Sequence, residues 1–211
     1  MKNIVIVGNG GFARETKWII DRIKRVSEQW NFCGYIDKEI TRENVLGDDE
    51  YLLNICEELS VVIAIGDPKI RIQLYKKYKG NKYIRFPNLI DPSVDITDNV
   101  ELGEGNIICA NNVFTVDIRI GSFNIINLGC TIGHDAEIGS FNTINPGTNI
   151  SGNVQIGDLV EIGTGTKIIQ GRKIENGAVI GAGAVVIKDI PRDALAVGVP
   201  SVIKKCIKER L

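Results

Sequence analysis

From Ile90 to Val186, every sixth position carries an aliphatic or aromatic core former with no slip of register. The series runs Ile90, Ile96, Leu102, Ile108, Phe114, Ile120, Ile126, Ile132, Ile138, Ile144, Ile150, Ile156, Ile162, Ile168, Ile174, Ile180, Val186; fourteen of its seventeen members are Ile. Neither helical spacing nor hairpin alternation gives a period of six. A short exact period of this kind marks a β-solenoid. Residues 120–129 (IGSFNIINLG) and 138–147 (IGSFNTINPG) agree at eight of ten positions across an offset of 18. Three six-residue strands per coil therefore make a triangular prism, with residue i+18 stacked about 4.8 Å above residue i. Gly often follows the inward residue, as a tight corner requires. Asn106, Asn124 and Asn142 share the offset and predict an internal Asn ladder. Arg172 occupies an otherwise small-residue position and predicts a local distortion.

Before Phe86 the pattern changes. Ile4–Val7 reads as a buried strand, followed by a glycine turn and a helix near Phe12–Arg25 with Trp18, Ile19 and Ile23 on one face. Phe32–Ile36 and Val61–Ile65 read as further strands, with a helix near Glu50–Glu58 between them. Asp67-Pro68 opens another helix, with Pro in the first turn. Alternating strand and helix implies a small Rossmann-like α/β domain with a parallel sheet. The expected division is residues 1–86 for this domain, 87–200 for the solenoid and 201–211 for a tail, whose basic stretch Lys204–Arg210 is expected to be a capping helix. Flat prism faces associate, and three copies about a threefold axis is the expected assembly.

The 211-residue chain has 25 basic and 26 acidic residues and a net charge of −1, which argues against nucleic acid as a partner. Five cysteines without a Cys-x-x-Cys pair fit a reducing compartment, and no apolar stretch reaches membrane-spanning length. The start of the chain runs straight into a short strand, so a cytoplasmic protein is expected.

Two places carry candidate chemistry. His134, the sole histidine, lies two residues past inward Ile132 and should project from a prism edge. A neutral imidazole there can take a proton from an attacking amine or hydroxyl, and the neighbouring Asp135 can hold its second nitrogen. Asp117, 18 residues earlier, places another carboxylate in the Asp135 column. Gly152, 18 residues past His134, falls one coil above it, where its N–H can stabilise an acyl-transfer oxyanion. The other place is Gly8-Asn9-Gly10-Gly11-Phe12-Ala13, a strand-to-helix turn suited to a pyrophosphate, with Asp37 at the end of the second strand suited to a ribose hydroxyl or base edge. A full dinucleotide site needs two mononucleotide halves, so a nucleotide-sugar fits this short domain better than NAD. One histidine per chain does not furnish a solenoid zinc site, and no metal is expected.

The chain resembles the hexapeptide-repeat sugar acetyltransferases of the PglD-like and NeuD-like group. The resemblance rests on GNGGFAR at 8–14, GYID at 34–37, IAIGDPKIR at 63–71, LIDPSV at 89–94, GHDAEIG at 133–139, NPGTNISGNVQIG at 145–157, and GAVIGAGAVVIKDIP with VGVPS near the end. It implies a left-handed parallel β-helix and acetyl-CoA-dependent acetylation of a UDP- or GDP-linked amino sugar, in sites between the subunits of a homotrimer. By resemblance His134 is the base, Asp135 its partner and Gly152 the oxyanion donor. Gly10, Gly11, Phe12, Asp37, Lys38 and Gly66 contact the nucleotide-sugar, with Arg71 nearby. The pantetheine arm of coenzyme A runs along the edge of Pro146, Thr164 and Ala182, Gly198 and Pro200 belong to the coenzyme-A loop, and Lys188, Arg192, Lys204 and Lys205 are candidates for its phosphates. Thr143 stands where relatives commonly carry a second His and is expected to hydrogen-bond the acetyl donor. Phe12 and Asp91 likewise stand where relatives frequently carry His. O-acetylation of a sialic acid or other sugar, and an inactive scaffold, are the alternative functions.

Overall fold

The computed structural model describes residues 1–40 and 43–206. Strands β1 (Lys2–Val7), β2 (Trp30–Ile36), β3 (Val45–Gly47), β4 (Leu59–Ile63) and β5 (Ile84–Arg85) form a parallel sheet in the order 3-2-1-4-5. Helix α1 (Gly11–Val26) buries Ala13, Thr16, Ile19, Ile20 and Ile23, a stripe at helical spacing. Trp18, expected on that stripe, is instead exposed, and the Arg22 guanidinium stacks 4.8 Å over its indole. Helix α2 covers only Asp49–Leu53, shorter than the Glu50–Glu58 expected. Its terminal carbonyls are taken early, because Asn81 Nδ2 donates to Leu52, Leu53 and Ile55 carbonyls, which frees Leu59 to start β4. Helix α3 (Pro68–Tyr78) begins as its sequence predicts, with the Asp67 carboxylate accepting from the Lys69 and Ile70 amides.

The remainder is a left-handed parallel β-helix of two- to four-residue strands, closed by one antiparallel strand. One face, here the docked face, stacks Leu89–Ile90, Ile107–Ile108, Ile125–Ile126, Thr143–Ile144, Glu161–Ile162, Val179–Ile180 and Ala194–Val197. The open face stacks Val113–Phe114, Thr131–Ile132, Asn149–Ile150, Lys167–Ile168 and Val185–Val186, and the charged face runs from Val100–Leu102 to Lys173–Ile174. Every pairing between 100 and 186 joins residues 18 apart, such as Ile132 to Ile150 and Ile144 to Ile162. Inside, the sixth-position residues fuse into one core. The Asn ladder starts earlier than expected and stops at Asn124: Asn88 Oδ1 accepts from Asn106 Nδ2, and Asn106 Oδ1 from Asn124 Nδ2, each at 3.1 Å. Asn142 reaches Asn124 Oδ1 only through its backbone N–H, at 2.8 Å. Arg172 causes no break, since its carbonyl still accepts from Gln155 N at 2.9 Å and its side chain turns outward toward Asp189. The period fails only at the last rung, where Ile174 pairs with Ile190, 16 residues on.

Val202–Cys206 is a strand antiparallel to Ala194–Val197. The helix expected over Lys204–Arg210 is therefore absent over its described part, because the edge of the docked face offers unpaired backbone groups that an extended segment satisfies. Residues 207–211 lie outside the described residues.

The small domain packs on the docked face through two apolar contacts and several polar ones. Ile19, Ile20 and Ile23 of α1 join Leu89, Ile107, Cys109 and Ile125 in one cluster. Tyr75 of α3 meets Phe86, Phe123 and Phe141, with Phe123 and Phe141 stacked at 5.1 Å and 6°. The repeated GSFN corner thus has a second use: its Phe residues, both near φ +60°, point out of the prism and receive α3. Asp91, buried at the first rung, accepts from Arg22 Nε at 2.6 Å and Nη2 at 3.0 Å. Burial raises its pKa, but the bonds from Arg22 and Ser93 outweigh this and hold the carboxyl below its ordinary range.

Candidate active site

His134 sits at the corner between the open and charged faces. Asp135 follows it at φ +58°, a left-handed conformation that Asp tolerates better than most residues. That bend swings the carboxylate back, and His134 Nδ1 lies 2.7 Å from Asp135 Oδ2. A charged Asp135 places the proton on Nδ1, which leaves Nε2 as a free acceptor. Both side chains are about half exposed, at 52% and 60%.

One rung above, Gly152 is positioned by the coil register, with Asn153 N donating to His134 O at 2.7 Å. A methyl added to Gly152 would fall within 2.5 Å of His134 Cε1, so the ring lies directly against the glycine. Among the described residues the Gly152 N–H has no acceptor. An imidazole with a free nitrogen therefore stands beside an uncommitted backbone donor, the pairing that acyl transfer requires.

The glycine turn lies at the carboxyl ends of β1, β2 and β4, where the sheet order reverses. Gly8, at φ +101°, permits the turn, and a Cβ there would sit 2.8 Å from Ile65 Cδ1. Gly10 caps α1, whose first turn holds no acidic residue to offset the helix dipole. Added side-chain carbons at Gly10, Gly11 and Gly66 would meet nothing within 4 Å, so all three face open space. Phe12 is half-buried at the helix start, and Asp37 accepts from Glu39 N at 3.0 Å beside exposed Lys38. The structure thus gathers Gly10, Gly11, Phe12, Asp37, Lys38 and Gly66 at the carboxyl end of the sheet.

Two expected site residues are buried behind Gly66, in the junction between the small domain and the prism. Arg71 is 1% exposed and spends every N–H inside the protein: Nε on Phe123 O, Nη1 on Ile65 O and Gly66 O, Nη2 on Phe141 O, Asn142 O and Thr143 Oγ1. It has no donor left for a sugar. Desolvation lowers its pKa to about 9, with Asp67 opposing. Thr143 is buried on the docked face and donates to Gly66 O at 2.6 Å, which engages its hydroxyl in the contact between domain and prism. Nothing in the sequence pattern marked these polar groups as buried.

Thr164 and Ala182 stack as expected at the corner between docked and open faces, with Gly165 N on Pro146 O and Gly183 N on Thr164 O, both 2.8 Å. The loop of Gly198 and Pro200 is tied to the same end, Gly198 O accepting from Val185 N at 3.1 Å and Ser201 N donating to Val185 O at 2.8 Å. A groove of about 690 Å³ follows the charged face past Glu101, Arg119, Glu137 and Lys173 and does not include His134. Among the described residues no cluster of three or more His, Cys, Asp or Glu is placed to hold a metal ion, and no helix is long and apolar enough to cross a membrane.

Comparison with known proteins decides the family. The PglD N-terminal domain family matches residues 3–78. The structure of a histidine-to-asparagine variant of perosamine N-acetyltransferase from Caulobacter crescentus, with CoA and GDP-perosamine, superimposes with a TM-score of 0.87 at 30% identity over 97% of this chain and 98% of that one. The chain belongs to the PglD-like hexapeptide-repeat sugar acetyltransferases. It is therefore an acyltransferase. WeeI from Acinetobacter baumannii agrees equally well, with a TM-score of 0.86 and 30% identity over 97% of this chain and all of that one. The acetyltransferase domain of PglB from Neisseria gonorrhoeae, at 24% identity, TM-score 0.89 and 97% and 100% coverage, shares the fold. No curated protein matches the chain in sequence.

Proposed function

We propose that this PglD-like protein transfers the acetyl group of acetyl-CoA to the amine of a nucleotide-linked amino sugar. The observation that carries this reading is the uncommitted Gly152 N–H beside the free face of His134. The amine nitrogen attacks the thioester carbonyl, and Nε2 takes the proton the nitrogen sheds. Asp135 steadies the resulting imidazolium, and the Gly152 N–H bonds the oxyanion. Collapse of the tetrahedral intermediate breaks the C–S bond, and the imidazolium returns its proton to the departing thiolate. The products are the N-acetyl sugar and CoA. The sugar nucleotide binds at Gly10, Gly11, Phe12, Asp37, Lys38 and Gly66; the donor lies along Thr164, Ala182, Gly198 and Pro200. Residues 1–86 bind the acceptor and 87–200 carry the chemistry, with 201–211 as the tail.

In one chain the small domain covers the docked face, whereas His134 is at the corner shared by the other two. A second copy must then bring acceptor and base together. The exposed apolar residues favour the open face as the contact: Val113, Val116, Leu128, Ile169 and Ile187 lie on it or at its corners, while the charged face carries Glu101, Arg119, Glu137 and Lys173. A homotrimer about the open face satisfies this. Acetyl-CoA and nucleotide-sugars meet in the cytoplasm, where the product would feed glycan synthesis.

Incubation with acetyl-CoA and UDP- or GDP-amino sugars should release free thiol and yield an acetylated sugar whose acetyl survives mild alkali, as an amide does and an ester does not. His134→Ala should keep acetyl-CoA affinity and lose about 10²–10⁴ of kcat. Unchanged turnover would refute the base assignment; sugar binding without turnover on any acceptor would mark a scaffold.

A further inference from the structure

A buried arginine needs a reason, because a cation taken from water is expensive unless its donors are met. Arg71 meets all five with carbonyls and one hydroxyl, and no carboxylate lies among its bonded partners. Its acceptors fall in two groups. Ile65 O and Gly66 O belong to the loop after β4, at 2.6 and 3.2 Å. Phe123 O, Phe141 O, Asn142 O and Thr143 Oγ1 belong to two successive rungs of the prism, at 2.8 to 3.1 Å. Thr143 closes the ring by donating back to Gly66 O at 2.6 Å. The loop held in this way is the wall of the crevice beside the glycine turn, since Gly8 lies against Ile65 and Gly66 faces open space.

We propose that Arg71 is a positioning residue for the acceptor site, locking the Ile65–Gly66 loop to the prism and so fixing where the sugar nucleotide sits relative to the solenoid. The inference rests on the acceptor reading given above. Simple adhesion between domain and prism does not require a guanidinium; the aromatic cluster around Tyr75 already supplies it. What the planar fork adds is direction: its donors diverge toward the loop on one side and the rungs on the other. A lysine ammonium is a single point with three donors and cannot span both groups. Arg71 is buried with every donor engaged, so its influence reaches the acceptor through the Ile65 and Gly66 carbonyls.

The test compares Arg71→Lys and Thr143→Val with the wild type in steady-state assays that vary each substrate separately, alongside thermal melts. Thr143→Val preserves shape and serves if Arg71→Lys fails to fold. Loosening of the loop should raise KM for the nucleotide amino sugar roughly tenfold in Arg71→Lys and severalfold in Thr143→Val, with KM for acetyl-CoA and kcat within about twofold. Hydrogen exchange at the Ala64 amide, which donates to Val7 O at 3.0 Å at the root of the loop, should quicken while the rungs around His134 stay protected. An unchanged acceptor KM accompanied by a lower Tm would overturn the proposal and leave Arg71 as an adhesive. A rise in acetyl-CoA KM for Thr143→Val would overturn it too, by placing Thr143 at the donor. Failure of the wild type itself on every nucleotide amino sugar would instead remove the acceptor reading, and this proposal with it.

Discussion

Replacing Gly152 with Ala tests the two-rung site at its narrowest point. Gly152 does not adopt a positive φ, so the backbone accepts Ala without strain. The new methyl would sit within 2.5 Å of His134 Cε1 and 2.8 Å of Cδ2, where ordinary carbon contacts begin near about 3.5 Å. The imidazole must therefore retreat by about 1 Å, and being half exposed it can swing toward solvent. The Gly152 N–H survives the substitution, so the change acts on the base and leaves the oxyanion donor in place. A displacement of this size lowers rates by about 10²-fold, or about 2.7 kcal/mol of transition-state stabilisation. Thiol release at saturating acetyl-CoA and acceptor would read kcat, with a thermal melt confirming that the coil is intact. The decisive control is the double variant. With His134→Ala the methyl has no ring to strike, so adding Gly152→Ala should change kcat by less than about twofold. Full activity in Gly152→Ala, or a further hundredfold loss in the double variant, would refute the reasoning.

Three further outcomes follow from the geometry. Asp135→Asn keeps the φ +58° bend and an acceptor for Nδ1 but removes the charge; because the pair is half exposed and screened, kcat should fall only about tenfold, and a loss beyond about 10³ would give Asp135 a larger part. Phe123→Ala removes the ring stacked between Tyr75, Phe86 and Phe141 and should cost about 3–5 kcal/mol in urea unfolding; a loss below 1 kcal/mol would mean the aromatic dock is slack. Asp91 has a folded pKa below its unfolded value of about 3.9, so its contribution is whole above that value and is lost as pH falls through the lower folded one. Melting temperature should then drop more between pH 5 and 3 in the wild type than in Asp91→Asn, and parallel curves would show that the Arg22–Asp91 bond does not bear on folding.

The six-residue period determined much of this protein without help. A solenoid converts distance along the chain into distance in space by a fixed translation, so an offset of 18 placed Gly152 over His134, Thr164 over Pro146 and one Asn over the next. The glycine turn was equally legible, because a strand, a positive-φ Gly and a helix start are local events. The tertiary structure alone decided how the two halves meet. Arg71 and Thr143 resembled site residues by motif, yet they bond groups 52 to 77 residues away across the junction. No period links a helix of 3.6 to a coil of 18, so neither their burial nor the use of Phe123 and Phe141 as a dock follows from spacing. The final strand escaped for the same reason: Val202–Cys206 is extended because a sheet edge stands open beside it, and its own basic residues carry no record of that edge.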